Sequence, residues 1–195
     1  MKKFVLFFSF LLACIMMYAG LKKISGNPAA IANETTLNVQ FTYNNMRVGK
    51  FPKEEDYVKT KKEEYNKKEE GRGEKWEDSW VSDRSGRFEP QFTELFEKHC
   101  KLALGNYPEA KYTAIIHTTR TEPGYNIYIS RKNAEIDLDI DIIETQSKTS
   151  IVKYSLKGVQ GRSFGGYDYD SGTRLEEAYA LAGKLLGKEL SKTIK

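Results

Sequence analysis

The chain has 195 residues and a formal charge of +4, from 31 lysines and arginines against 27 acids. This length suits one domain, and a hydrophobic fraction of 39% supplies a core, which argues against wholesale disorder. Two cysteines exclude a disulfide-stapled mini-fold, and two histidines leave little material for a His-rich metal site. All four lysines of the first 23 residues precede the first acid, Glu34, so the remainder is formally neutral and no nucleic-acid surface is expected.

The N-terminal segment has the composition of a targeting sequence. Met1-Lys2-Lys3 is basic, Phe4–Ala13 is apolar, and the apolar character continues to Leu21. A short basic region followed by an apolar run is typical of export signals, and no polar face interrupts the run as in an amphipathic helix. We therefore expect residues 1–20 to be a signal peptide or membrane anchor. The rest of the chain is then exported, to the periplasm or another part of the cell envelope.

Three forms of this segment remain open. A cleaved signal would be cut near Ala19-Gly20. A lipoprotein signal would use Leu11-Leu12-Ala13-Cys14, which resembles a lipobox, with Cys14 as the acylated residue. An uncleaved anchor would use Phe4–Leu21, which is at the lower edge of a membrane span. A membrane is expected to be contacted only through this segment, if it is retained or acylated.

Residues 21–35 are predicted to be a linker or a weak first strand, and residues 36–195 a single α+β domain. Leu37, Val39, Phe41 and Tyr43 alternate with polar residues, which predicts a strand with one buried face. A Lys/Glu-rich helix over 53–70 follows. A second helical stretch carries Trp76 and Trp80. A third apolar stripe, from Phe88 to Ala103, predicts a helix that begins near Pro90 and ends at Gly105-Asn106.

The second half of the sequence predicts strands over 111–121, 125–130, 134–145 and 150–157, and a helix from about Ser171 to Thr193. Its buried stripe comprises Leu175, Tyr179, Ala182, Leu186, Leu190 and Ile194, and Gly183 and Gly187 permit close approach of a neighbour.

Asp137, Asp139 and Asp141 share one strand face, and Lys153 and Lys157 share a face of the next strand. Cross-strand pairing of these charges explains the pattern more simply than a cation site. Such pairing requires a hairpin loop with an odd number of residues, such as Gln146–Lys148.

This element order predicts an α+β fold: a mixed, mostly antiparallel sheet with helices packed on one face, a two-layer sandwich. The helices between the first two long strands act as a crossover, so those strands are expected to be parallel. The polar strand faces leave the other side of the sheet wet or available to a partner.

The most unusual stretch is the Gly/Tyr loop, which we define as residues 161–172. Its spacing matches neither a phosphate-binding loop nor an EF-hand. The candidate binding residues, by composition alone, are Arg162, Phe164, Tyr167, Asp168, Tyr169 and Asp170. The alternative is structural: Asp170 or Ser171 caps the following helix, and the tyrosines fold over the core rim.

No catalytic residue, metal ligand set or cofactor motif emerges from the sequence. His99 is expected to lie at the core boundary, and His117 on a strand has no Ser or Cys motif that would make it a general base. Cys100 is expected to be a buried structural cysteine without an intramolecular partner.

Residues 65–96, 112–145 and 161–188 are similar to a family of exported proteins of Gram-negative bacteria, and the resemblance extends over roughly 36–190. It implies no activity, since none is assigned to that family. At fold level, the element order also resembles the TolB amino-terminal type, found in envelope lipoproteins such as the curli secretion factor. The apolar run Ile15-Met16-Met17-Tyr18 after Cys14 departs from the pattern of those lipoproteins.

Together these features predict a non-enzymatic exported cell-envelope protein, a protein-binding or structural module. An envelope protein partner would bind through the open sheet face, a sheet edge or the Gly/Tyr loop. The alternative is a carbohydrate-active or hydrolytic protein that uses carboxylates of that loop, such as Asp168 and Asp170.

Overall fold

A computed structural model describes residues 20–127, 129–161 and 171–194. The strands are β1 (Gly20–Gly26), β2 (Thr36–Thr42), β3 (Arg47–Val48), β4 (Ala103–Gly105), β5 (Tyr112–Glu122), β6 (Tyr125–Ile127), β7 (Ser130–Lys132), β8 (Ala134–Glu144) and β9 (Ser150–Gly161). The helices are α1 (Glu54–Asn66), α2 (Arg72–Asp83), α3 (Glu89–Glu97) and α4 (Ser171–Leu190), with a π-helical turn at Arg84–Phe88 and a 3-10 turn at Pro28–Ile31.

Seven strands form one mixed sheet in the order β1-β9-β8-β5-β2-β4, with β3 also paired to β5. The β1–β9, β9–β8 and β8–β5 pairs are antiparallel. The β2–β5 pair is parallel, as the helical crossover between these strands predicts. The segment predicted as a linker or weak first strand, 21–35, therefore contains most of β1, an edge strand of this sheet, and the first residue of β1, Gly20, falls in the segment predicted as a signal peptide or membrane anchor.

The alternation of apolar and polar residues divides the sheet into a helix-covered face and an open face. The helix-covered face carries fully buried side chains such as Ile116, Leu138, Ile140 and Leu156. Helices α3 and α4 pack over it, with Leu175, Tyr179, Ala182 and Leu186 of α4 buried as the sequence predicts. The predicted fold class, a mixed α+β sheet with helices on one face, is confirmed.

Helices α2 and α3 form one helical run that is interrupted by the π-helical turn. The turn places Phe88 against Tyr179 of α4, with the rings stacked at 5.0 Å. Gly183 lets α4 approach this run closely, since a Cβ there would lie 2.0 Å from the Phe92 carbonyl oxygen. The predicted role of Gly183 as a close-approach residue is therefore confirmed.

The prediction for the third helix is wrong at its C-terminal end. Helix α3 stops at Glu97, and Ala103–Gly105 forms strand β4, parallel to β2. Ala103 fits the helical period, but its backbone N–H donates to the Thr35 carbonyl, a partner far away in the sequence. The final helix also ends earlier than predicted, at Leu190.

No helix among the described residues is long and apolar enough to cross a membrane.

Candidate functional site

The open face of the sheet carries charges that pair across neighbouring strands. Asp141 lies 3.2 Å from the Lys153 ammonium, and Asp139 lies 3.2 Å from that of Lys157. The register places Asp141 opposite Lys153, so the predicted Asp–Lys pairing is confirmed. The predicted odd-numbered loop is wrong: the Glu144 N–H donates to the Thr149 carbonyl and closes a turn of four residues, 145–148, and a register irregularity between Ile142 and Ile143 restores the pairing. The aspartates therefore stabilise the β8–β9 pair, and within the described residues no group of acids, histidines and cysteines has the arrangement of a metal site.

Arg120 of β5 lies on the same face, next to acidic residues near the start of β8. Its Nε donates to Asp137 at 2.9 Å, and its guanidinium also contacts Glu135. The hydrogen bond to Asp137 raises the pKa of Arg120, and Glu135 adds to the effect. Asp137 also accepts from the Gly158 N–H at 2.8 Å, at an irregularity in the β8–β9 pairing. This end of the face is a closed ion-pair network.

A shallow depression of ≈ 460 Å³ lies on the open face. It is lined by Ile24, Ile115, His117, Asp139, Asp141, Lys153 and Ser155, together with Ile140 and Tyr154. His117 Nδ1 lies 2.9 Å from the Thr42 hydroxyl, and the Ser155 hydroxyl donates to Asp139 at 2.9 Å. The hydroxyl is therefore held by a carboxylate and not by the imidazole, so the depression lacks the Ser–His contact of an activated nucleophile.

One edge of the sheet is only partly covered. Strand β4 pairs with Thr36–Asn38 of β2 and goes no further, whereas β5 pairs with β2 as far as Thr42 on the other side. The Thr35 carbonyl accepts from Ala103. Because the backbone groups of a parallel strand point alternately to its two neighbours, those of Val39 and Phe41 also point toward the β4 side. We call Val39–Thr42 the open edge.

A groove of ≈ 700 Å³ runs between the open edge and helix α3. It is lined by Val39, Phe41, Ser85, Glu89, Pro90, Thr93, Glu94, Glu97 and Asn106. Its floor is partly apolar, since Val39 and Phe41 pack against the core. Three glutamates on its helical side make the groove acidic. Lys98, one turn along α3, contacts Glu94 at 2.6 Å and holds the pKa of that carboxyl below its usual value.

The π-helical turn fixes the wall of this groove. Its first residue, Arg84, lies over the Tyr43 ring at 4.4 Å and pairs with Glu54 of α1. The Tyr43 hydroxyl donates to Glu89 at 3.2 Å, and burial of this hydroxyl raises the Tyr43 pKa well above its ordinary value. π-Helical turns recur at functional sites. Here the turn ties the end of β2 to the start of α3, which makes the groove a preformed feature.

The binding residues predicted in the Gly/Tyr loop, Arg162, Phe164, Tyr167, Asp168, Tyr169 and Asp170, lie outside the described residues, and so does the candidate lipidation site Cys14. Cys100 is buried, and burial raises the pKa of its thiol. His99 lies at the end of α3 with Nδ1 2.9 Å from the Leu95 carbonyl. These two placements agree with the predicted structural roles.

The groove itself is absent from the sequence-based expectations, which name a sheet edge only in general terms. Its one local signal is Pro90, which marks the start of α3 beside the end of β2. The groove exists because β4 is short. The sequence does not indicate this strand, because the apolar pattern around Ala103 predicts a helix there.

No protein-family model matches this chain, and no curated protein matches it either. Several solved structures are similar to it. A PelC dodecamer from Paraburkholderia phytofirmans is 10% identical, with a TM-score of 0.40 over 84% of this chain and 95% of that one. A DUF330 protein from Xanthomonas campestris is 12% identical, with a TM-score of 0.40 over 87% of this chain and 91% of that one.

A Helicobacter pylori protein, described as a homologue of a neuraminyllactose-binding hemagglutinin, is 14% identical. It matches with a TM-score of 0.39 over 87% of this chain and 91% of its own. These structures all come from Gram-negative bacteria. The resemblance to the TolB type has no counterpart among them and stays a prediction.

Proposed function

We propose that this protein is a non-enzymatic cell-envelope module that binds a partner protein by taking an extended segment of it along the open edge. The observation that carries the proposal is the early end of β4, which leaves Val39–Thr42 with a strand on one side only. A strand edge with unpaired backbone groups is a template for an added strand. The groove beside α3 provides the space for one.

The chemistry of the groove describes the expected partner segment. Backbone hydrogen bonds to Val39 and Phe41 supply affinity without demanding a sequence, because every residue except proline carries both groups. Glu89, Glu94 and Glu97 on the helical side favour lysine or arginine in the added strand. The expected partner therefore presents an extended, basic segment with small apolar residues facing Pro90 and Thr93.

The opposite edge of the sheet is a poorer template. Strand β1 is irregular between Lys23 and Ser25, and it carries Lys22 and Lys23. Bulges and lysines are devices that discourage strand addition. The contrast between the two edges supports the β2 side as the binding edge.

A photo-crosslinking amino acid at Thr93, in cells with intact envelopes, tests this proposal. We expect a protein adduct from Thr93 and none from Ser79, an exposed position on α2 that lies away from the groove. Val39→Pro removes the backbone donor toward the open edge and should abolish the adduct. Val39→Thr keeps the N–H and nearly the same shape, so the adduct should persist.

Equal adducts in the two Val39 variants, or an equal adduct from Ser79, would contradict strand addition at this edge. Circular dichroism of both Val39 variants distinguishes a blocked edge from a misfolded sheet. The hydrolytic or carbohydrate-active alternative depends on Asp168 and Asp170, outside the described residues, and it stays a prediction from the sequence.

A further inference from the structure

The β6–β7 hairpin concentrates exposed apolar side chains. Tyr125, Ile127 and Ile129 are 40%, 49% and 89% exposed, and they account for half of the large exposed apolar residues in the described part of the chain. The others, Ile24, Val81 and Tyr107, lie on separate elements. Scattered exposed apolar residues are ordinary on a soluble surface, whereas a cluster on one projecting element marks a contact surface.

The base of this hairpin is rigidly held. Arg174 of α4, which is only 6% exposed, donates from Nε to the Pro123 carbonyl at 3.2 Å. Gly124 has a φ of +66°, and a Cβ there would lie 2.4 Å from the Lys132 carbonyl oxygen. Lys132 contacts Glu122 across the base at 2.7 Å. These contacts hold the base of the hairpin against α4 and the end of β5, and Ile127 and Ile129 lie toward its other end.

The strand registers place this hairpin at the end of the sheet from which the N-terminal segment departs. The hairpin joins the end of β5 to the start of β8, where Glu122 lies opposite Glu135. Strand β9 finishes at the same end, with Gly161 opposite Ala134. Since β1 is antiparallel to β9, it begins toward this end, with Gly20 opposite Lys157.

Chain length limits how far the N-terminal segment can extend from this end of the sheet. Residues 4–21 are apolar with no charged residue, and Gly20 already belongs to β1, so no linker separates the apolar run from the sheet. Cys14 precedes Gly20 by six positions. An extended chain spans at most about 3.6 Å per residue, so six residues span at most about 22 Å. A segment retained in or acylated to a membrane would hold this end of the sheet at the bilayer.

We propose that the β6–β7 hairpin is a membrane-contacting element, whose tip enters the boundary between lipid headgroups and acyl chains. The Tyr125 ring extends from the base of the hairpin, with its hydroxyl 3.2 Å from the Ser130 hydroxyl opposite Ile127. An amphipathic ring beside exposed isoleucines is typical of side chains at such a boundary. One weak apolar contact gives only reversible binding, and stable attachment takes two signals. The hairpin would be the second signal beside the N-terminal segment and would fix the orientation of the sheet on the membrane.

The test compares two tryptophan reporters at matched exposed apolar positions. Ile129→Trp places one at the hairpin tip, and Val81→Trp places one on α2, where Val81 is 51% exposed. Each variant is isolated from cell envelopes with its own N-terminus and mixed with phosphatidylethanolamine–phosphatidylglycerol vesicles that contain bromine-labelled lipid, a short-range quencher. The emission of the parent protein, with Trp76 and Trp80, is subtracted.

We expect the reporter at position 129 to shift to the blue and to lose most of its emission, while the reporter at position 81 keeps its own. The quenching should persist at high salt, because apolar insertion is not screened. No quenching at position 129, or equal quenching at both positions, would overturn the proposal. A photo-crosslinker at position 129 that yields protein adducts and no lipid adducts in intact envelopes would also overturn it, in favour of a protein contact.

Paired charge substitutions provide a second measurement. The double variant Ile127→Glu/Ile129→Glu should lower several-fold the fraction of protein that floats with the same vesicles. If the N-terminal segment alone keeps the protein bound, the double variant should instead abolish the quenching of a tryptophan reporter introduced by Tyr125→Trp. Val81→Glu is the matched control and should change neither quantity. Unchanged flotation together with unchanged quenching in the paired variant would contradict membrane entry by the tip.

Discussion

The two faces of the sheet come from the same alternating strands, yet they are held by different interactions. In β5, Ile116 is fully buried under the helices, whereas its neighbour Ile115 lines the shallow depression on the open face. In β8, Ile140 and Ile142 face the core, and Asp139 and Asp141 pair with lysines of β9. Burial of apolar side chains on the helix-covered face supplies most of the stability. The ion pairs on the open face add little stability and mainly select the strand register.

The largest expected difference between the faces comes from the adjacent isoleucines of β5. Ile116→Ala leaves a cavity beneath the helices and should lower the free energy of unfolding by about 3–4 kcal/mol. Ile115→Ala removes the same atoms from a partly exposed site and should cost about 1 kcal/mol, because water fills the space. Urea denaturation of the two variants measures both values. Equal losses would show that the open face is covered in solution.

A smaller effect is expected from the ion pairs of the open face. Asp141→Asn should cost about 0.2–1 kcal/mol at low salt, since the partner Lys153 is half exposed and solvent weakens the attraction. The loss should shrink as salt is added. A double-mutant cycle with Lys153→Gln isolates the pair. A coupling above about 2 kcal/mol, or one insensitive to salt, would mean that this face is shielded from water.

The smallest effect at neutral pH is expected on the covered face, at a hydroxyl without a partner. The Tyr154 hydroxyl is buried and has no hydrogen-bond partner in the part of the chain that the structure describes. Tyr154→Phe removes an unsatisfied polar atom, so stability at neutral pH should stay within about 0.5 kcal/mol of the parent or rise slightly. A loss above about 1 kcal/mol would show that the hydroxyl is hydrogen-bonded after all.

The stability of Tyr154→Phe should also differ from that of the parent protein in its dependence on pH. Burial raises the pKa of Tyr154 from 10.0 to about 12. A folded-state pKa above the unfolded value means that the unfolded chain releases its proton first, so stability is lost as pH rises from 10 to 12. In this window Tyr154→Phe should lose less stability than the parent, as followed by denaturation at stepped pH. Parallel curves for both proteins would contradict this assignment.

The features that were predicted correctly depend on local pattern. Alternation along β8 and β9 is sufficient to assign their faces and the Asp–Lys pairing, because side chains change sides at every residue. It does not reveal the irregularity between Ile142 and Ile143, which separates that pairing from the turn. The stripe from Leu175 to Leu190 likewise identifies the buried side of α4. Local periodicity also explains the error at Ala103, whose strand exists only because β2 lies beside it.

The candidate groove could not be derived in the same way. Its existence depends on where β4 stops relative to β2, and these strands are separated by three helices along the chain. No local propensity determines the position of the end of β4 relative to β2. That position depends on how the α2–α3 run packs and on the residue at which α3 ends. The hairpin tip differs from the groove in this respect. Its apolar residues are visible in the sequence, and only their exposure requires the structure.

The pairing of β1 with β9 has a consequence for the order of events during synthesis. A ribosome makes β1 first, but its neighbour in the sheet appears only after nearly all of the remaining strands. Until then β1 is a strand without a partner, at risk of joining another nascent chain. The positive charges of Lys22 and Lys23 are expected to oppose such joining, because like charges on two copies of the strand repel each other.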